Sequence, residues 1–318
     1  MTIAQAKATG HRAHLFEPTV ENRRATTSAG PLRVVAFNAQ GGTSFEGILR
    51  CFARQPLRGA AIVLLSEADV GIRRSGGRKV ASELARALGM SCAYVPEFGL
   101  VSADGTMRAF LGSAILSREP MEDVVAIPLP RVTERSPHVP GSLGRVRREG
   151  SQAALVASVR LRGNPVYVSV AHLDSRAHPN GRDLQIAAML EGFPSGGPAI
   201  FGGDLNTTTV ELVNRASVRL VLREMFLNSR RFRHPHAHEP LLARLAEAGF
   251  EVRGANAEGR PTFTFTRMIP PWMRPKLDWI ALRGLKPMPG TSRVIPARPG
   301  FLAFRVSDHD FIAVDVAL

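Results

Sequence analysis

Polar side chains able to bind a metal or move a proton recur at the ends of short apolar segments in this chain. The set comprises Asn38, Glu67, His172, Asp174, Asp204, Asn206, Asp278, Asp308 and His309. One aspartate at a strand end is usually a turn former, but turns alone do not explain six strands that end this way. A partly desolvated carboxylate needs a partner. We therefore predict that these side chains converge on one rim of the fold.

The chemistry of this set is that of oxygen and imidazole ligands without sulfur. Such ligands match a hard cation such as Mg²⁺ or Mn²⁺ rather than a structural zinc. Phosphate-ester hydrolysis needs a cation to polarise the phosphoryl group, a base to orient a water, and donors for the developing charge. Glu67, Asp204 and two histidines would meet those needs. No glycine-rich phosphate loop of the P-loop type is present, which argues against nucleotide hydrolysis by that route.

The elements that must position these residues are short β-branched runs bounded by Gly, Pro or charge, typical of buried strands. The predicted strands are 32–37, 60–65, 113–116, 154–159, 166–170, 199–201, 277–282 and 311–316. Helices are predicted at 77–88, 182–190 and 239–248. Helices alternate with strands early and strands cluster later, so neither a purely parallel sheet nor an all-β fold is expected.

Six motifs, taken in order, resemble those of the endonuclease/exonuclease/phosphatase superfamily, which includes DNase I, apurinic endonucleases, sphingomyelinases and inositol-polyphosphate phosphatases. They are Val35-Ala36-Phe37-Asn38, Leu65-Ser66-Glu67, Ala171-His172-Leu173-Asp174-Ser175, Gly203-Asp204-Leu205-Asn206-Thr207, Leu277-Asp278-Trp279-Ile280 and Val306-Ser307-Asp308-His309. The resemblance implies an α/β (α+β) fold, a DNase I-like four-layer sandwich of two packed mixed β-sheets flanked by helices. It covers one domain, residues 31–318, after a disordered tail at 1–30.

The resemblance also implies a role for each residue, with Mg²⁺ (or Mn²⁺) as cofactor. The expected metal residues are Asn38, Glu67 and Asp308. Asp204 would orient or deprotonate the attacking water, and Asn206 would hold the water or the phosphate. His309 would donate to the scissile phosphate, Asp278 would fix the tautomer of His309, and His172 would be a second phosphate-facing histidine.

Three positions depart from the family pattern. Ser66 precedes Glu67 where Gln is commoner, and Ser113 follows Gly112 where Asn is common, which puts a substrate contact there in doubt. The tyrosines, Tyr94 and Tyr167, lie outside the place of the active-site tyrosine of apurinic endonucleases. Abasic-site repair is therefore disfavoured.

The charge balance narrows the substrate class. The chain carries 41 Lys and Arg against 27 Asp and Glu, a net charge of +14, which favours polyanionic partners. A nuclease acting on DNA or RNA is narrowly favoured. A phospholipid or inositol-phosphate phosphodiesterase or phosphatase is the alternative, with residues 268–273 as a candidate membrane-facing loop, and a non-catalytic nucleic-acid-binding module is a third interpretation.

Several local clusters have plainer interpretations than a binding site. The arginine clusters at 145–148 and 230–233, and the histidines His234, His236 and His238, are predicted to be solvated loop residues. Cys51 and Cys92 fit buried free thiols. The longest apolar runs reach about six residues, far short of a membrane span of roughly 20, and no signal-peptide core is present. We expect a soluble, cytoplasmic monomer.

Overall fold

The computed structural model describes residues 15–25, 30–102, 104–134, 146–209, 223–264 and 269–318. Its strands are β1 Thr19–Glu21, β2 Leu32–Asn38, β3 Ile62–Val70, β4 Ser91–Val101, β5 Met107–Ser117, β6 Met121–Pro128, β7 Arg147–Gly150, β8 Ala153–Leu161, β9 Asn164–Ala171, β10 Ala199–Asp204, β11 Asp278–Arg283, β12 Lys286–Pro287, β13 Arg293–Ile295 and β14 Phe311–Ala317. Its α-helices with defined bounds are α1 Phe45–Phe52, α2 Val80–Leu88, α3 Pro179–Gly192, α4 Ser229–Arg233 and α5 Pro240–Glu247.

The strands form two sheets within the described residues. The first has the order β1-β4-β5-β3-β2-β14-β12, with β7 paired to β4 and β13 paired to β14. The second has the order β11-β10-β9-β8-β6. Both sheets are mixed, because β2–β3 and β9–β10 are parallel pairs and the other pairs are antiparallel. The predicted two mixed sheets are confirmed.

Three apolar layers hold the sheets and helices together. The inner faces of both sheets share one core, to which the first contributes Val34, Ile62 and Ile115 and the second contributes Leu155 and Ile200. The outer face of the first sheet packs against α1 and α2. The outer face of the second packs against α3 and α5. Alternation of side chains across each strand supplies both faces, and the result is the predicted four-layer sandwich.

The helix α2 shows why the sequence could locate this element. Val80, Ala81, Leu84 and Ala85 lie on one buried face, as helical spacing requires. Gly89 ends the helix in the left-handed conformation with φ 68°, and its N–H bonds back to the last turn. Residues 77–79 of the predicted helix precede its start.

Part of the predicted tail belongs to the domain. Thr19–Glu21 pair with Cys92–Tyr94 as an edge strand, so the expectation of a disordered 1–30 segment is corrected for residues 19–21. The sequence did not reveal this strand, because an edge strand can expose all its side chains and so lacks an apolar pattern. Residues 1–14 and 26–29 lie outside the described residues, as do Arg145 and Met268.

Two further observations concern expectations from composition. Both cysteines are buried and free, as predicted. Among the described residues, no helix is both long and apolar enough to cross a membrane.

Candidate active site

Strand register brings most of the predicted residues to one end of the sandwich. Asn38 is the last residue of β2 and pairs with Ser66 of the parallel strand β3. Asp204, the last residue of β10, lies opposite Asp278, the first residue of β11. Asp308 and His309 directly precede β14, which runs antiparallel to β2. The ends of β2 and β10, the start of β11, the middle of β3 and the residues before β14 therefore meet at one rim. The sequence predicted this rim but expected Glu67 to follow its strand, whereas Glu67 lies within β3 because that strand continues to Val70.

The carboxylate of Asp204 lies at the centre of the site. Its Oδ2 accepts a hydrogen bond of 2.9 Å from Asn38 Nδ2. The same oxygen lies 3.7 Å from His172 Nε2 and 3.6 Å from His309 Nε2. Asp204 is 2% exposed, and burial raises its pKa above the ordinary value, with the charge of Asp278 adding to the effect while the two histidines oppose it.

His309 is held by Asp278 on its other side. The distance from His309 Nδ1 to Asp278 Oδ2 is 2.8 Å, and both side chains are buried. Burial alone would lower the pKa of His309, but the charges of Asp278 and Asp204 outweigh it and raise the pKa to about 10. The imidazole is thus fixed in orientation and favoured in its protonated, donating form, which suits a group that stabilises charge on a phosphate.

Glu67 and Asp308 add negative charge beside this centre. Asn38 Nδ2 also donates to Glu67 Oε1 at 3.2 Å. Burial would raise the pKa of Glu67, yet His172, His309 and the Asn38 hydrogen bond together lower it. Burial raises the pKa of Asp308, and the charges of Glu67 and Asp204 raise it further although His309 opposes them. The site therefore gathers more carboxylate charge than its own donors neutralise.

This excess of carboxylate charge fits a bound divalent cation. Asn38, Glu67 and Asp308, the residues predicted to bind it, would supply the oxygen ligands that Mg²⁺ and Mn²⁺ prefer. A second grouping, Asp204, Asp278 and His309, also offers ligand atoms within 4.8 Å of one another. Both nitrogens of His309 already face carboxylates. The second grouping can therefore be explained without a metal, as an imidazole held between the carboxylates of Asp204 and Asp278. The two sets meet at Asn38, which contacts both Glu67 and Asp204.

The backbone is strained where two of these side chains are presented. Glu67 has φ 51° and Asn206 has φ 50°, a left-handed conformation that is unusual for residues other than glycine. Glu67 lies at an irregularity in the pairing of β3 with β5, between Leu65 and Ala68. Such a bulge re-aims a side chain. Here it places Glu67 in the cleft while its neighbours stay in the sheet.

Gly202 and Gly203 have a packing role that the motif alone did not reveal. A Cβ on Gly203 would lie 2.2 Å from the carbonyl oxygen of Ala171. A Cβ on Gly202 would lie 2.4 Å from the carbonyl oxygen of Trp279. Glycine has no side chain, so it allows another backbone to approach closely. In the structure, these glycines let the neighbouring strands approach β10 and so fix the position of Asp204.

Asn206 and His172 complete the predicted set. The backbone N–H of Asn206 donates to Asp204 Oδ1 at 3.1 Å, and its Nδ2 donates to the carbonyl of Leu173 at 2.9 Å. His172 follows β9, which is parallel to β10, and its ring reaches Asp204 from there. Asp174, in the same motif, instead accepts a hydrogen bond from Thr133 Oγ1 at 2.5 Å.

Supporting residues were harder to find from sequence. Ser307 Oγ donates to the Asn38 carbonyl at 2.8 Å and accepts the His309 N–H at 3.1 Å, tying two motifs together. Thr262 Oγ1 accepts the N–H groups of Leu277 and Asp278. Ser307 stood within a motif, so it could have been singled out. Thr262 had no local signal because its partners lie 15 and 16 residues away.

Outside the site, the structure shows the surroundings of two histidines and of Ser113. His234 and His236 are half-buried and line a cavity together with Arg231 and Arg233, so they are not freely solvated loop residues. Arg231 and Arg233 belong to the short helix α4, which turns them inward so that their Nε atoms are buried, and the two histidines follow this helix. Ser113 is buried and donates to Glu97 Oε1 at 2.5 Å, which gives this departure from the family pattern a structural partner.

The chain is similar to known proteins in both sequence and fold. The sequence model of the Endonuclease/Exonuclease/phosphatase family matches residues 35–309 of this chain. Similar solved structures include an endonuclease/exonuclease/phosphatase from Beutenbergia cavernae, at 18% identity and TM-score 0.55, covering 90% of this chain and 71% of that one. No curated protein matches the sequence significantly.

Two further structures share the fold. The human Nocturnin catalytic domain with bound sulfate is 16% identical with TM-score 0.52, covering 95% of this chain and 97% of that one. A variant of the 3′ phosphatase NExo from Neisseria, bound to product DNA hairpin, is 15% identical with TM-score 0.57, covering 90% and 100%. With the family match over most of its length and the six motifs gathered at one rim, the chain belongs to the endonuclease/exonuclease/phosphatase family.

Proposed function

We propose that this chain is a Mg²⁺- or Mn²⁺-dependent phosphodiesterase whose substrate is DNA or RNA. The proposed hydrolysis is supported by one observation. The side chains of Asn38, His172 and His309 all approach one oxygen of Asp204. This carboxylate accepts a hydrogen bond from an amide and lies close to two imidazoles. It is therefore placed to orient a water beside a negatively charged phosphate group.

Asp204 is the proposed base that orients and deprotonates the attacking water. It can do so only in its ionised form, which the neighbouring imidazoles favour and a cation would favour further. Asn206 fixes the rotation of this carboxylate through its N–H bond to Oδ1, which leaves Oδ2 beside Asn38 and the two imidazoles. General base catalysis of this kind typically contributes about 10²–10⁴-fold.

His309 and His172 are the proposed donors to the phosphate. Asp278 holds His309 at 2.8 Å, so the ring presents Nε2 towards the cleft without needing to reorient. Preorganised donors of this type stabilise the charge that develops on the phosphoryl oxygens. A cation held by Asn38, Glu67 and Asp308 would supply Lewis-acid polarisation of the same group.

Charge favours a nucleic acid as the substrate. The net charge of +14 gives a phosphate backbone a non-specific electrostatic affinity for the protein. Arginine is also the side chain that best matches phosphate geometry. A non-catalytic nucleic-acid-binding module is less well supported, because every expected catalytic position holds a competent residue.

A phospholipid phosphodiesterase is the second candidate, and one surface favours it. Phe226, Leu227 and Trp272 are 63%, 58% and 46% exposed, and the rings of Phe226 and Trp272 lie 6.3 Å apart. Trp272 belongs to the segment predicted to face a membrane. Exposed aromatic and aliphatic side chains of this kind can bury in the headgroup region of a bilayer.

A hydrolysis screen tests the proposal. Plasmid DNA, RNA, sphingomyelin vesicles and inositol phosphates would be incubated with the protein in Mg²⁺, in Mn²⁺ and in EDTA. The proposal expects metal-dependent cleavage of DNA or RNA. Turnover of lipid vesicles alone would select the second candidate, and full activity in EDTA would contradict the metal-dependent mechanism. The variant Asp204→Asn, purified in parallel, controls for contaminating nuclease.

A further inference from the structure

A cavity lined by several basic residues lies outside the hydrolytic site, against the outer face of the second sheet. It has a volume of about 670 Å³. Trp279, which packs in the core on that outer face, forms one wall, while its neighbour Asp278 faces the cleft. The cavity and the cleft thus lie on opposite sides of one strand. Residues 228–238 and 253–259 form the other walls.

The cavity is strongly cationic. Its lining includes five basic side chains, which are Arg230, Arg231, Arg233, Arg253 and Lys276. One carboxylate, Glu258, lines it, and the Glu258 side chain is 89% exposed and lies 3.8 Å from His234. This acid group therefore points largely to solvent, and the lining residues that the structure describes give the basic groups no matching interior counter-charge.

Several buried side-chain nitrogens of the lining residues lack a hydrogen-bond partner within the part of the chain that the structure describes. They are Arg231 Nε, Arg233 Nε, His236 Nε2 and Lys276 Nζ. Buried polar atoms are nearly always paired, so four unpaired nitrogens on residues that line one cavity need an explanation. The two arginine nitrogens and Lys276 Nζ are donors, and His236 Nε2 is one when the ring carries its proton there. All four belong to side chains that line the cavity, and an anion bound there would offer them an acceptor.

Lys276 is the most deeply buried of these basic side chains. It is 2% exposed, and its Nζ lies 4.6 Å from the centre of the Trp279 ring. The charge of Asp278 favours the ammonium form of Lys276 against the effect of burial, but no described carboxylate lies within ion-pair distance of Nζ. A buried ammonium without an ion-pair partner is costly to desolvate, and a cation–π contact offsets only part of that cost. A bound anion would offset the rest.

The donor set also indicates which ligand would bind. A metal ion is disfavoured, since the three histidines His234, His236 and His238 stand among arginines whose charge repels cations. Guanidinium forks and an ammonium match the oxygens of a tetrahedral dianion. We propose that this cavity binds a phosphate group, as inorganic phosphate or as the terminal phosphate of a small phosphomonoester.

The proposal stands apart from the proposed hydrolysis, because binding can be measured without turnover. Calorimetric titration of inorganic phosphate into the full chain in EDTA would measure the cavity directly. Without metal the carboxylates of the hydrolytic site should repel the anion, so the phosphate that binds should occupy the cavity. Asp183→Asn, in the surface pair with Arg244, should leave phosphate affinity unchanged. An inactive enzyme that binds phosphate and an active enzyme that does not are therefore distinguishable.

Two variants with matched controls test the assignment. Lys276→Met and Arg233→Gln should each weaken phosphate binding by roughly 10–100-fold, the usual worth of a hydrogen bond to a charged group. Lys286→Met and Arg86→Gln remove the same charge from exposed positions and should change the affinity little. If Lys276→Met fails to fold, Arg233→Gln decides the question alone.

The arms of the experiment separate the sources of the phosphate. Competition by a phosphomonoester such as a nucleoside 5′-monophosphate, at a similar or higher affinity than phosphate, would identify that class of ligand. Binding of inorganic phosphate alone would identify the free dianion. Equal affinity in wild type, Lys276→Met and Arg233→Gln would overturn the proposal. The proposal would also be overturned if the protein bound long single-stranded DNA but bound neither inorganic phosphate nor the phosphomonoester.

Discussion

Asp204 and Asp278 lie opposite each other on β10 and β11, and their carboxylates are bridged by one imidazole. His309 Nδ1 is 2.8 Å from Asp278 Oδ2, and His309 Nε2 is 3.6 Å from Asp204 Oδ2. The pairing register of two strands therefore sets the spacing of a base, a donor and the group that orients the donor. Because these residues act as a unit, their effects on turnover should not be additive.

The Asp278→Asn substitution should shift the pH dependence of turnover. The charge of Asp278 helps raise the pKa of His309 to about 10, so the protonated donor persists in the wild type up to that pH. Without that charge the pKa falls, and the donor is lost at a lower pH. The alkaline limb of the kcat profile should move to lower pH, and turnover at pH 7 should fall by less than the about 10²–10⁴-fold expected of His309→Ala. An unmoved alkaline limb would contradict this role.

The Glu67→Gln substitution should weaken divalent-metal binding. Its carboxylate is a proposed ligand, and loss of the charge should lower Mg²⁺ affinity about 10-fold or more, by analogy with the effects of altered metal-site partners. Equilibrium titration with Mg²⁺ or Mn²⁺ would measure it. Glu191→Gln, at an exposed position of α3, is the matched control. Affinity should also fall with acid pH, because the raised pKa of Asp308 lets protons compete with the metal at higher pH than usual.

The affinity for nucleic acid should depend steeply on salt. If about six or more phosphates are contacted, binding should weaken by on the order of 10³-fold or more between about 50 and 200 mM salt. Fluorescence anisotropy with a labelled oligonucleotide, using the inactive Asp204→Asn protein, would report the slope. A salt-independent affinity would argue against a phosphate-backbone partner and favour the lipid candidate.

The Arg182→Met substitution should be the most destabilising of the changes considered. Both Arg182 and Glu239 are fully buried, and two guanidinium nitrogens bond the two carboxylate oxygens. Leaving Glu239 without this partner should cost about 3–5 kcal/mol of unfolding free energy, measurable by urea denaturation. Arg244→Met breaks a comparable but more exposed pair with Asp183 and should cost about 1 kcal/mol or less. Equal losses would contradict the dependence on burial.

Much of the fold could be predicted because its buried strands are short apolar runs. Residues 32–37, 199–201 and 311–316 were recognised within one to three residues of the observed ends of β2, β10 and β14. The strands β4 and β6 were missed. In β6, Glu122 and Asp123 interrupt the apolar pattern on an exposed edge, and in β4 the pattern is broken by Pro96 and Glu97. Edge pairing and bulges depend on partners distant in sequence.

The candidate site was predictable to the extent that its residues sit at strand ends. Asn38, Asp204 and Asp278 are terminal residues of β2, β10 and β11, so sequence position implied a shared rim. The contacts of Ser307 and Thr262 were not predictable in the same way, because they join segments that only the tertiary fold brings together. The inward turn of α4 was likewise hidden, since a run of arginines has the same composition whether it is solvated or lines a cavity.

Turnover by Asp204→Asn in the presence of Mg²⁺ tests the central claim most directly. The substitution keeps the size of the side chain but removes the base that contacts Asn38, His172 and His309. Turnover of DNA or RNA should fall by about 10²–10⁴-fold or more, while circular dichroism and the urea midpoint stay close to wild type. Asp183→Asn, in the surface pair with Arg244, should keep wild-type turnover. A correctly folded Asp204→Asn protein with full activity would show that this carboxylate is structural and that the proposed mechanism is wrong.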